Sequence, residues 1–272
     1  MPGLPRAVGE LHPSPRRGIL EKNRRTLARR KGGGCSVKGT LHAGPEGTRC
    51  YLPARWERGM PAVHLLDGEM VEGMLPELLA GLEREGDALP PLALVLHSTG
   101  NRDDDYTPWP APNLKKRDRP FGGGAAGYLP RLCRAKEAAE AALGADSGRS
   151  ALLGYSLGGL FALWAAAQPN APFAAFASLS GSLWYDGWRE YAEEKLPQRG
   201  QDLFYLSLGE GEEHTRMARL APVGGCTRAL CKQLQGRLDN PDRCVLEWNP
   251  GGHITGIAAR HERALRWLAG RL

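Results

Sequence analysis

The 272-residue sequence predicts an α/β fold: one doubly wound, mostly parallel sheet with helices on both faces. Three observations lead there. Short apolar runs alternate with amphipathic stretches along most of the chain. The inner runs, such as Leu92-Ala93-Leu94-Val95-Leu96 and Ala174-Ala175-Phe176-Ala177, are apolar at every position, as strands covered on both sides must be. Two long segments, Ser98–Gly127 and Leu183–Pro197, break the alternation and are rich in Trp, Pro, Gly and Asp; they are expected over the carboxyl ends of the strands, where such sheets bind ligands.

Taken in order, strands are expected at Cys50–Pro53, Ala62–Leu66, Leu92–His97, Ala151–Gly154, Ala174–Leu179, Leu203–Gly209 and Cys244–Trp248. Helical periodicity marks Met70–Glu85, Tyr128–Leu143, Leu157–Gln168, Cys226–Arg237 and Gly256–Leu272. These elements form one domain over residues 35–272, which shows no internal repeat or linker. Residues 1–34 differ in kind. They hold nine Lys or Arg against Glu10 and Glu21, are poor in apolar residues and end in Gly32-Gly33-Gly34, so a disordered, solvated extension is expected. That surplus of seven accounts for the net charge of +6; the other 238 residues sum to −1. The basic extension has no interleaved aromatic residues, which argues against nucleic-acid binding. No run reaches the ~18 apolar residues of a membrane span, and the first residues lack the apolar region of a secretory signal. A reducing, cytoplasmic setting is expected. Cys50, Cys133 and Cys244 read as buried free thiols, although the sequence is also compatible with a Cys226–Cys244 or Cys231–Cys244 bridge. No C-x-x-C pair is present, and neither metal nor cofactor is expected.

Gly154-Tyr155-Ser156-Leu157-Gly158 fits G-x-S-x-G between an apolar strand and a Leu/Ala-rich helix. In that context the serine sits on a strained turn as a nucleophile. A serine needs a base, and seven histidines compete. His12 is in the extension. His64 sits mid-strand and reads as a satisfied core residue. His97 ends a strand and could line the site, whereas His261 is expected on the solvated face of the last helix. His253, in Asn249-Pro250-Gly251-Gly252-His253, follows the last strand on a flexible loop, where the chain order Ser…Asp/Glu…His places the base. The acid should follow the preceding strand. Glu210-Gly211-Glu212-Glu213 lies there; Glu212 is favoured, Glu210 is the second choice, and a dyad without acid stays open. The oxyanion donors expected are the N–H of Leu157 and, from Asp67-Gly68-Glu69, that of Gly68 or Glu69. Arg102 is a candidate for gripping an anionic substrate, and Trp109, Trp184 and Trp188 for an aromatic wall.

With these residues in place, the chain resembles the Putative esterase branch of the α/β hydrolases, which includes the enterochelin esterase-like siderophore hydrolases. The resemblance rests on Val63–Gly68, Arg102–Trp109, Phe121–Ala125, Gly154–Leu163, Ser180–Trp184 and Pro250–His253, in order across residues 45–270. It implies the α/β-hydrolase fold and hydrolysis of carboxylic esters by Ser156 and His253. It also implies that the acid can be absent, as in the siderophore branch. Ala126 stands where the family often has an aspartate. The expected activity is thus that of a serine esterase working through an acyl-enzyme on a small-molecule ester, with a siderophore trilactone or related oligo-ester as leading substrate. Acyl transfer to an alcohol, and a non-catalytic binding protein on the same fold, are the alternatives.

Overall fold

The computed structural model describes residues 39–83, 91–115 and 117–272. The extension at 1–34, Cys35, and Gly-Asp-Ala at 86–88 with their neighbours lie outside the described residues. Eight strands form the main sheet: β1 (Gly39–Ala43), β2 (Arg49–Pro53), β3 (Ala62–Leu65), β4 (Ala93–Leu96), β7 (Ala151–Tyr155), β8 (Ala175–Leu179), β9 (Leu203–Gly209) and β10 (Cys244–Asn249). Their spatial order is β1-β2-β4-β3-β7-β8-β9-β10. β1 and β2 run antiparallel at one edge, and every pair from β4 to β10 is parallel. Two-residue strands β5 (Pro110–Ala111) and β6 (Phe121–Gly122) pair separately above the sheet.

The core divides by the period-two rule for strands. On one face Leu152, Phe176, Phe204 and Leu206 pack with α3 (Ala125–Leu143), α4 (Leu157–Ala166), α5 (Trp188–Lys195) and α6 (Val223–Arg237). On the other, Leu153, Tyr155, Ala177 and Tyr205 pack with α1 (Gly68–Glu83) and α7 (Ile257–Ala269). α4 is buried along its whole length, which explains why its sequence is apolar all round. This is the α/β-hydrolase fold, and the expected class is correct.

The expected seven strands are all present with ends shifted by one residue or so. The differences lie at the polar and short elements. β1 was not expected, because an edge strand with one buried residue carries little apolar signal. α1 starts at Gly68, two residues before the expected Met70; α3 starts at Ala125 rather than Tyr128, and α6 at Val223 rather than Cys226. Inside the two long loops stand α2 (Arg102–Asp105) and α5, one a single turn and the other mostly charged. Five thiols are free among the described residues. Cys231 Sγ lies 3.8 Å from Cys244 Sγ, unbridged, and Cys133 is half-buried rather than buried.

Candidate active site

The order β7-β8-β9-β10 brings four carboxyl ends side by side, and those of β7, β9 and β10 lead into Ser156, Glu212 and His253. Ser156 follows β7 with φ 58° and ψ −119°, a strained conformation for a residue with a side chain. Its neighbours make this fold possible. A Cβ on Gly154 would run into the Gly158 carbonyl, and one on Gly159 would stand 2.8 Å from Ser178 Oγ and 3.0 Å from Gly181 Cα, against the neighbouring strand's end. The Ser156 N–H donates to Leu179 O at 2.9 Å, tying the turn to β8.

His253 and Glu212 complete a row. His253 Nε2 is 3.1 Å from Ser156 Oγ, and His253 Nδ1 is 2.7 Å from Glu212 Oε2. The buried Glu212 carboxylate accepts further hydrogen bonds at Oε1 from Ser180 Oγ (2.6 Å), Gly209 N–H (2.7 Å) and Arg260 Nη1 (2.9 Å). Burial alone would raise this carboxyl's pKa, but the hydrogen bonds from His253, Ser180 and Gly209 outweigh it and hold Glu212 at about 2. An ionised Glu212 can only accept, so Nδ1 carries the proton and the lone pair of Nε2 faces the serine hydroxyl. Glu210 does not take part: it is exposed, its N–H bonds to Asn249 O, and no side-chain contact brings it to His253. Its chain position is right, but two residues further on the turn swings Glu212 inward through Glu212 N–H to Gly209 O (3.0 Å).

Two groups that sequence reasoning missed hold the histidine loop. Tyr155 OH donates to His253 O, and Arg260 Nη2 donates to Gly252 O at 2.8 Å. Consecutive carbonyls are thus gripped from β7 and from α7, so the loop expected to be flexible is anchored. Arg260 is 1% exposed and also touches Ser180 Oγ and Tyr155 OH. Its one sequence signal is a charge within the apolar stripe Ile257, Ala258, Ala264, Leu265 and Leu268. His261, expected on the solvated face, is 1% exposed; it stacks on Tyr155 with ring centroids 5.8 Å apart, and its Nδ1 donates to Ile257 O. Burial lowers its pKa to about 4. His97 turns away from the serine to His64 (Nε2 to Nδ1, 2.8 Å), while His64 Nε2 meets Glu140 Oε1 at 3.0 Å, the satisfied core role expected of His64.

The expected oxyanion donors are divided by the structure. Leu157 N–H heads α4 with no acceptor among the described residues. Gly68 N–H is already given to His97 O at 2.8 Å, which removes it as a donor. Asp67, at φ 54°, gives its N–H to Tyr106 OH at 3.0 Å. Glu69 N–H, in the first turn of α1, has no backbone acceptor and is the group that loop leaves open. The loop abuts the elbow: a Cβ on Gly158 would be 3.4 Å from Asp67 Oδ2.

Arg102 does not present a vacant guanidinium. Its Nε and Nη2 hold Asp67 Oδ1 and Oδ2 at 3.1 and 3.0 Å, and it lies over the Tyr106 ring. The sequence could place Arg102 in the loop but not show which carboxylate it would pair with. Trp109 and Trp184 are half-buried. Trp109 Nε1 donates to Asp186 O, and the Arg219 guanidinium covers Trp184 at 5.3 Å. Trp188 is 1% exposed and packs inside the segment. Among the described residues, no group of His, Cys, Asp and Glu is arranged to hold a metal ion, and no helix is long and apolar enough to cross a membrane.

The family described as Putative esterase matches residues 44–248. An uncharacterized protein, YbbA of Bacillus subtilis, is 28% identical over 248 residues, covering 86% of this chain and 98% of its own. The siderophore hydrolase EstA from Aspergillus nidulans superimposes with a TM-score of 0.62 at 19% identity, over 90% of this chain and 98% of that one. An IroE-like serine hydrolase from Shewanella oneidensis gives a TM-score of 0.62 at 21% identity, over 85% and 74%.

Proposed function

The chain belongs to the Putative esterase family and is a carboxylic-ester hydrolase, and from that premise we propose that it works through an acyl-enzyme on Ser156, with His253 as base and Glu212 as acid. The observation that carries this reading is the continuous row Ser156 Oγ–His253 Nε2, His253 Nδ1–Glu212 Oε2. Ser156 Oγ attacks the ester carbon while its proton passes to His253 Nε2. The oxygen that gains charge is met by Leu157 N–H and Glu69 N–H, each worth about 2.7–4 kcal/mol in the transition state. Collapse expels the alcohol, which takes the proton from His253, and water repeats the sequence on the acyl-serine. Glu212 holds the tautomer and stabilises the imidazolium.

Arg102 serves in this scheme as a buttress: by clamping Asp67 it sets the loop that presents Glu69 N–H. Trp109 and Trp184 form the wall beside the acyl group. The leading substrate is a siderophore trilactone or related oligo-ester, a reading supported by the likeness in fold to EstA and by the family.

A fluorophosphonate probe is expected to label the wild-type protein and not Ser156→Ala. Absence of labelling on the folded wild type would remove the nucleophile assignment. Hydrolysis of a trilactone is expected to exceed that of short p-nitrophenyl esters in kcat/KM, and an equal or lower value would exclude the siderophore substrate.

A further inference from the structure

Four large apolar side chains stand in water among the described residues: Met70, Leu114, Met217 and Ile254, exposed by 38, 36, 43 and 84%. Three follow carboxyl ends of the main sheet on the edge that carries Ser156, Met70 after β3, Met217 after β9 and Ile254 after β10, whereas Leu114 follows the short β5. Ile254 is the extreme case, and it is the residue directly after His253. Nothing in the fold uses it. Exposing a large aliphatic side chain forgoes the gain that burial would bring, so an apolar partner that covers it would bind by doing so.

Met70 belongs beside it. α1 and α7 lie next to each other on one face of the sheet, and both run away from the carboxyl edge. Their register is fixed near the far end: Gly81 O accepts from Arg266 Nη2 at 2.6 Å, and the Glu262 carboxylate lies against Gly81 Cα. Counting back eleven residues from Gly81 reaches Met70. Counting back a similar number from the middle of Glu262–Arg266 reaches Ile254, just ahead of α7. At about 1.5 Å per helical residue the two stand within roughly one turn of the same level. Met70 adjoins Glu69, whose N–H is the open donor, and Ile254 adjoins the base. The apolar pair therefore borders the reacting ester from the side of His253.

That side has a chemical identity. His253 Nε2 must hand its proton to the departing alcohol oxygen, so the alcohol portion of the ester leaves past the histidine loop. Resting on the Ser156–His253 reading above, we propose that Ile254 and Met70 form a subsite for an alkyl or aryl group carried on the alcohol side of the substrate, so that among esters of one acid turnover rises with the apolar surface of the alcohol portion. Leu114 lies in the segment between β4 and α3 and is outside this subsite.

The test is a series of n-alkyl esters of one short acid, from ethyl to hexyl, whose leaving alcohols differ little in acidity. Wild-type kcat/KM is expected to rise about twofold per CH2, since one-sided cover returns part of the roughly fourfold gain of full burial. Ile254→Ser combined with Met70→Ser should flatten the series to near 1 per CH2, whereas Leu114→Ser should retain the slope. A flat wild-type series, or a slope that survives the double substitution, overturns the subsite. So does a double substitution that flattens an acyl-length series instead. A concentration-dependent dimer broken by Ile254→Ser, together with a flat alcohol series, would assign the pair to self-association and equally overturn it. Loss of the nucleophile reading is separable: there, hydrolysis of every ester would persist in Ser156→Ala.

Discussion

Glu212 accepts from four hydrogen-bond donors, three at Oε1 and His253 at Oε2, so a change of one atom should be costly. Glu212→Gln is expected to lower kcat by at least ~10²-fold, given the ~10⁴-fold loss known when a triad acid becomes an amide, whereas Glu210→Gln should stay within about twofold. Unchanged turnover in the first would return the site to a dyad. Arg260 acts through Glu212 and the Gly252 carbonyl, never on substrate, and is a positioning residue. Arg260→Met is expected to lower kcat by up to ~10²-fold with little change in KM, and to move the acid limb of kcat/KM to higher pH. The direction follows because His253 would then feel the Glu212 charge without the neighbouring cation. Arg260→Lys should restore part of the rate, and an acid limb that does not move would leave Arg260 a merely structural role. At this scale Ser156, His253 and the preferred Glu212 were legible, because an elbow and the order of strands dictate where such groups must stand. Arg260, Tyr155 and the occupied N–H of Gly68 were not, since their roles depend on backbone partners distant in sequence. His261 was misjudged for a similar reason: small alanines widen the buried stripe of α7 until an imidazole fits beneath Tyr155.

At the level of elements, β3, β4 and α3 are joined by a buried polar chain. Lys136 Nζ meets Glu140 Oε2 at 2.7 Å, Glu140 Oε1 meets His64, and His64 meets His97. Burial raises the Glu140 pKa, but the hydrogen bonds from His64, Lys136 and Ser150 prevail and lower it. Removing the cation leaves a buried carboxylate with less than it needs, so Lys136→Met is expected to destabilise the fold by about 3–5 kcal/mol. A urea midpoint within error of wild type would refute this. The His97 carbonyl at the chain's end holds Gly68 N–H, so this polar chain also anchors the loop beside the elbow. The parallel strands and long helices were legible from apolar runs and periodicity. β1, α2 and α5 escaped because one buried residue, or one turn, leaves no period to read.

For the whole molecule, three buried histidines set a response to acid. Burial lowers the pKa of His64 and His261, and burial with the neighbouring His64 holds His97 well below its ordinary value. Each is neutral in the fold and binds a proton more readily once unfolded. Their contribution is therefore complete above pH ~6.5 and is lost as pH falls from there toward the folded values; for His261, with its pKa lowered to about 4, this amounts to about 2 kcal/mol between pH 7.5 and 5. Glu212, with its pKa depressed to about 2, adds a second loss between pH ~4.5 and 2. Urea midpoints are expected to drop by roughly 0.5 M or more between pH 7.5 and 5, and a constant midpoint would contradict the assignment.

The long loops after β4, β8 and β9 are bound to one another by a few side chains, Arg219 foremost. Arg219 grips the Asp186 carboxylate at 2.8 Å, donates to the carbonyls of Pro112 and Asn113, and lies on Trp184, while Trp109 Nε1 donates to Asp186 O and Tyr185 OH donates to Trp109 O between two of the same segments. Three stretches far apart in sequence therefore share their fate. Whatever loosens one of them is felt by the other two, and the contacts of Arg219, Trp109 and Tyr185 are where that shared fate is decided.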